Sequence, residues 1–266
     1  MSNFSFKRTG QLIKKQWVEN RRLYSMSVLA LTGILGVTFV LWLSMSGTGY
    51  NEESTYIFGL IGLFITGAIF ASTTYNMLNA KDTGIYWISF PASHLEKFLV
   101  TLFFNVVVFT VVYTVLFFVL KFISEIYINY LIENGQRLYS YRRVDWSRNE
   151  GFTEAVPVFC YAFFVVQAAF LLGSVSFKRF SFIITTIVII GTLFLLGWYT
   201  FKIGKITFGD EYNFNPFRLH SHYENGAYKE YQLNTSLKTF IELFLKFLLA
   251  PFLWLVTWFK LKEKQL

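Results

Sequence analysis

The sequence predicts an all-α integral membrane protein built as a single transmembrane domain. It has six spanning helices, an N-terminal interfacial helix, and a small β-hairpin in the loop before the last helix. Three observations predict this. Charged residues make up 15% of the 266 residues, against about 25% in soluble domains, too few to clothe a water-facing surface. The apolar residues gather in six runs, each close to the ~20 residues that cross ~30 Å of hydrocarbon at ~1.5 Å per residue. Lys and Arg are divided unevenly between the two sets of loops, as the positive-inside rule requires of a topology.

The first 25 residues read as an amphipathic helix. Leu12, Ile13, Trp17 and Tyr24 can share one face, while Lys14, Lys15, Arg21 and Arg22 point elsewhere. A basic helix with an aromatic anchor is expected to lie on anionic membrane lipid. The first span is Met26–Ser44. The tail before it is long for a signal peptide and no small-x-small cleavage site follows, so the run is read as a retained span.

Span two, Tyr56–Tyr75, is rich in small residues, among them Gly59, Gly62, Gly67 and Ser72. Small residues let neighbouring helix backbones approach closely. The pairs Gly33 and Gly36, Ala68 and Ser72, and Ala169 and Gly173 are read the same way, as internal packing or a dimer face.

Span three is Phe98–Leu120, and its helix is expected to run on through Ile126 to the helix-ending pair Asn134-Gly135. Spans four and five are Ala155–Ser174 and Phe180–Phe201. Asn105 and Gln167 are amides inside spans three and four, which need partners in hydrocarbon or line a pathway. The segment Lys202–Thr239 contains Asn225-Gly226, suited to a type I′ hairpin turn that sets Tyr223 opposite Tyr228. His220, His222 and Glu224 alternate there on one strand face, a weak alternative reading as a metal site; no metal is expected. The last span, Phe240–Phe259, carries Glu242 and Lys246 at ion-pair spacing, and Pro251 is expected to kink it.

With six spans, the two ends and the loops after spans two and four share one side. That side holds thirteen basic and four acidic residues, and the other ten basic and eleven acidic. Both termini are therefore expected in the cytoplasm. The overall charge of +8 is this topology signal, and no nucleic-acid partner is expected. The single cysteine, Cys160, allows no intrachain disulfide.

Absent motifs narrow the function. There is no G-x-x-x-x-G-K-[ST] phosphate loop, no H-E-x-x-H and no G-x-S-x-G. The spans carry almost no acid or base near their centres, where ion-coupled transporters place them.

Between spans two and three stands "IYWISFPASHLEK". Tyr86 and Trp87 suit a membrane–water interface, Pro91 stiffens a turn, and Ser93 and Glu96 have capping-box spacing. The stretch "SFPASHLEKF" resembles the L-P-x-S-x-x-E-K pattern of ABC-2 type permeases, the membrane subunits of bacterial ABC exporters. The layout of spans is similar too. The resemblance implies a non-catalytic exporter subunit in the bacterial cytoplasmic membrane, paired with a second permease chain. It implies a separate ATPase subunit that binds ATP and Mg, with no cofactor in this chain. It implies that Asn79–Lys97 is the ATPase-coupling loop, with Lys81, Asp82, Tyr86, Trp87, Pro91, Ser93, His94, Glu96 and Lys97 as its contact residues. Two other classes stay open: a membrane assembly or sensor protein that binds a partner through its long outer loops, and a metalloenzyme using His220, His222 and Glu224.

The topology has a direct test. With Cys160 replaced by Ser, single cysteines at Ser147 and Ser221 should react with an impermeant thiol reagent in sealed cells, and one at Ser2 should not. Labelling at Ser2 would reverse the orientation.

Overall fold

The computed structural model describes residues 5–45, 49–76, 92–134, 140–142, 144, 150–208, 221–224, 227–230 and 235–264. Six helices in it are long and apolar enough to cross a membrane, so the chain is an all-α, multi-pass membrane protein. They are α1 (Phe6–Met45), α2 (Glu52–Thr73), α3 (His94–Glu133), α4 (Glu150–Ser176), α5 (Ser181–Phe208) and α6. The last is continuous through Thr235–Leu243, Phe244–Leu248 and Leu249–Glu263. Below, "foot" denotes the end of the bundle holding Ser5, Ser93 and Lys264, and "head" the opposite end.

The interfacial helix is not a separate element. Residues 6–45 form one helix of 40 residues, about 60 Å long at ~1.5 Å per residue. Nothing in the sequence interrupts it: no proline occurs there, and Ser25 donates to the Arg22 carbonyl instead of capping a new helix start. The expected aromatic face exists but is turned partly inward. Trp17 stacks on Tyr24 at 5.8 Å, and Tyr24 stacks on Phe104 of α3 at 5.2 Å.

α1 and α3 run parallel. Arg8 meets Glu96, Tyr24 meets Phe104, and Phe39 meets Phe117. Between the first two contacts α1 advances about twice as many residues as α3, so its first turns cross the foot obliquely. Above Tyr24 the helices rise nearly in step. α4 is the central helix, packed against α2, α5 and α6. Two apolar cores result. One joins Leu31, Leu35 and Phe39 of α1 to Phe109, Tyr113 and Phe117 of α3 and Phe163 of α4. The other, nearer the foot, joins Ala68, Ala71 and Tyr75 of α2 to Phe98, Phe170, Leu171, Val175 and Leu261. Toward the head, α5 leaves Leu193, Phe194 and Leu195 exposed and α6 leaves Phe240 and Phe247 exposed, as expected of surfaces facing lipid.

The glycines of α2 sit where neighbours press closest. A Cβ on Gly59 would stand 2.3 Å from the Phe117 ring, and one on Gly67 2.7 Å from Phe163. Gly173 of α4 faces Thr185 of α5 with no room to spare, whereas Gly33 and Gly36 have open space around them. The small-residue pattern thus marks internal packing at two of its three sites. The α4–α5 turn is only four residues long and places Phe180 at φ 52°, a left-handed conformation costing an aromatic residue about 1–2 kcal/mol.

Near Pro251, where a kink is expected, α6 carries a π-helical stretch. Pro lacks an N–H and its ring crowds the carbonyl four residues earlier. The hydrogen-bond ladder widens to π over Phe244–Leu248, ending three positions before it. Glu242 and Lys246 approach to 3.9 Å across this stretch. α3 ends at Glu133 with Asn134 as its cap. The hairpin pairs β3 (Ser221–Glu224) with β4 (Ala227–Glu230), antiparallel, with Tyr223 opposite Tyr228. One pairing was not foreseen: β1 (Gly49–Asn51) lies parallel to β2 (Ser140–Arg142) at the head.

The packing reading predicts a contrast. Gly173→Ala drives a methyl group against Thr185, and overpacking of this kind costs about 1–3 kcal/mol. Gly191→Ala meets nothing within 4 Å. Thermal unfolding in detergent should show the first destabilised and the second unchanged or slightly stabilised by the better helix propensity of Ala.

Candidate functional site at the foot of the bundle

The foot is organised by one carboxylate. Ser93 caps α3 by accepting the Glu96 N–H at 3.2 Å, and Glu96 Oε2 returns the bond to the Ser93 N–H at 2.9 Å. This is the capping box read from the sequence. The remaining oxygen, Oε1, accepts the Ser5 N–H at 2.8 Å and lies 3.3 Å from the Arg8 guanidinium. Ser5 stands immediately before α1, so Glu96 lies at the N-termini of two helices together. Each helix start presents unpaired N–H groups and a positive dipole end, both favourable to a carboxylate. Glu96 is fully buried, and each of its oxygens is engaged.

The other coupling-loop residues divide. Lys97 is buried against the foot, near enough to Lys15 of α1 to feel its charge. His94 is exposed on the first turn of α3. Lys81, Asp82, Tyr86, Trp87 and Pro91 lie outside the described residues. Lys14, Arg21 and Arg22 are exposed along α1, and Trp17 is half-exposed. Desolvation, and then the charges of Lys178 and Lys260, pull the Lys264 ammonium below the usual lysine range. The basic residues of the α4–α5 turn and the C-terminal tail therefore crowd one end of the molecule.

Further along the bundle, Asn105 and Gln167 come together. Asn105 lies in a π-helical stretch of α3, Phe103–Val108, and its amide donates to the Thr74 hydroxyl just beyond α2. Gln167 of α4 donates to the Asn105 backbone carbonyl. π-Bulges are concentrated at functional sites. A further bond between helices joins the Ser181 hydroxyl to the Ser72 carbonyl at 2.8 Å.

The head holds a cluster that sequence reasoning missed. Lys121 Nζ lies 2.6 Å from Glu52 and 2.8 Å from Glu125, and it sits over the Tyr56 ring at 4.9 Å. The second Glu52 oxygen accepts the Val144 N–H at 2.9 Å. The cluster thereby ties α2, α3 and the segment after β2. The i, i+4 spacing of Lys121 and Glu125 was visible in the sequence, but their link to Glu52, 69 residues from Lys121, was not. Of the weak metal reading, His220 lies outside the described residues, and His222 and Glu224 occupy alternate positions of β3. Among the described residues no three metal-ligating side chains gather.

Comparison with protein-family models, curated proteins and solved structures finds no match. The site must be judged on its geometry. At the foot, each oxygen of Glu96 is spent on another part of the same chain, an arrangement suited to holding helices in place.

The head cluster yields a prediction. Lys121→Met leaves Glu52 and Glu125 facing each other with little solvent. Breaking a buried charge pair by removing one partner costs about 3–5 kcal/mol. A triple variant that also carries Glu52→Gln and Glu125→Gln should recover most of that stability in thermal unfolding, because no uncompensated charge remains. Equal loss in both variants would show that Lys121 acts through packing alone.

Proposed function

We propose that this chain is the membrane-spanning, non-catalytic subunit of an ATP-driven exporter of the ABC-2 type, in the bacterial cytoplasmic membrane. A separate ATPase would dock on residues 79–97, and a second permease chain would complete the transporter. The observation that carries the reading is Glu96, within "SFPASHLEKF". A loop that receives a push from an ATPase must pass it on without yielding. Glu96 caps α3, holds the start of α1 and is buried between them. A displacement of the loop is therefore delivered to two spanning helices together. ATP binding by the partner would draw two cassettes together and shift the paired chains between inward- and outward-facing states. The six spans and the poverty of acids and bases at their centres fit a transporter whose energy comes from outside the chain.

Purification from the native membrane tests this. An ATPase subunit should accompany the chain, and the chain alone should hydrolyse no ATP. The double variant Pro91→Gly with Glu96→Ala loosens the turn and removes half of the capping box, at a cost of about 0.5–2 kcal/mol of local helix stability. It should insert and express normally yet lose ATPase association, while Ser147→Ala should change nothing. Retention of a normal ATPase complex by the double variant, or the absence of any ATPase from the native complex, would favour a membrane assembly or sensor protein.

A further inference from the structure

The two amides inside the bundle leave a pair of acceptors unused, and their chemistry can be fixed from their partners. The Thr74 hydroxyl donates to the Phe70 carbonyl at 3.0 Å, so its oxygen can only accept from Asn105. The Asn105 atom that meets it is therefore the NH2 group. A backbone carbonyl only accepts, so the Gln167 atom bonded to the Asn105 carbonyl is likewise the NH2 group. Both side-chain orientations are set by this chain of bonds. The atoms left over, Asn105 Oδ1 and Gln167 Oε1, are then both oxygens. Both are buried and have no hydrogen-bond partner among the described residues, in residues that are each 1% exposed. The Thr110 hydroxyl, one turn further along α3, is buried in the same condition.

Buried acceptors are almost always met by a donor, because stripping them of water without replacement is costly. Donors exist elsewhere in the core. The indole N–H groups of Trp254 and Trp258 on α6 are also buried, but neither bonds to these oxygens. Among the described residues the nearest acid along α3 is Glu96, nine residues away, and neither amide has an acidic partner there. A neutral O–H group suits two amide oxygens in a low-dielectric interior better than an ammonium or a metal ion.

We infer that Asn105 Oδ1 and Gln167 Oε1 form a binding subsite for a neutral hydroxyl donor at the crossing of α2, α3 and α4. Two sources of that donor share the chemistry: a resident water molecule, or a hydroxyl group of a molecule passing through the bundle. The π-helical stretch supports such a site, because it is where α3 departs from regular geometry and turns a backbone carbonyl to Gln167. The inference stands on the amides alone and does not depend on the transporter reading.

The test is an experimental structure of the full chain in lipid nanodiscs, at a resolution that places ordered water, alongside the Gln167→Met variant. The wild type should show a feature within about 3 Å of both oxygens. A compact feature identifies water, and one continuous with elongated density identifies a hydroxylated molecule. Gln167→Met keeps the side-chain volume but removes the oxygen, and the feature should be lost. Its persistence in that variant would overturn the inference. So would a wild-type map in which no feature is present or both oxygens accept from protein donors. If Gln167→Met does not fold, the wild-type map alone decides.

Discussion

The carboxylate of Glu96 fixes the relation between the two longest helices, and much of the rest follows from where it stands. α1 and α3 are each 40 residues long and run parallel. Parallel helices place their N-termini side by side, so their unpaired N–H groups and positive dipole ends would repel each other unless an anion stood between them. Glu96 is that anion. It accepts from the backbone of Ser93 and of Ser5 and pairs with Arg8. Glu96 secures the lower end of this helix pair, and the apolar contacts above it set its direction: Tyr24 on Phe104, then Phe39 on Phe117.

The rest of the bundle obeys the same constraint. Hydrocarbon offers no hydrogen-bond partner, so polar groups inside it look to the chain or to a bound molecule, and several are met by the chain. Ser181 donates to the Ser72 carbonyl, Asn105 to Thr74, and Tyr113 to the Gly59 carbonyl at 2.6 Å. Such bonds between membrane helices are individually modest, about 0.6–2 kcal/mol, but they fix rotation and height where apolar packing alone would let helices slide. Gly59 and Gly67 let aromatic rings approach the α2 backbone, and the Lys121 cluster closes the head. The helix ends are therefore held by charge and the middle by rings packed on glycine. The head-end portions of α5 and α6 depart from this scheme and present large apolar side chains outward.

Local signals in the sequence were legible and distant ones were not. The six spans, the extension of α3 to Asn134, the Ser93–Glu96 box and the hairpin register at Tyr223 all rest on residues within a few positions of one another. The change from amphipathic to apolar composition near residue 25 is not a break in the helix, which runs unbroken over Phe6–Met45. Composition changes at a membrane surface, and a helix need not break there. The third and fourth bonds of Glu96 come from residues 5 and 8, and the partner of Lys121 is residue 52. Nothing in local spacing could have paired them. Asn105 and Gln167 were marked as amides in need of partners, but the π-helical stretch that brings them together has no sequence signature of its own.

The central claim is that Glu96 locks the start of α1 to the start of α3. Spin labels at Gly10, which has open space around it, and at Leu99, which is 39% exposed, report the distance across this junction. Pulsed electron paramagnetic resonance on the chain in nanodiscs should give one narrow distance distribution. Glu96→Ala should broaden it markedly, with both helices still formed by circular dichroism. An equally narrow distribution in Glu96→Ala would contradict the account, and would assign the junction to apolar packing alone.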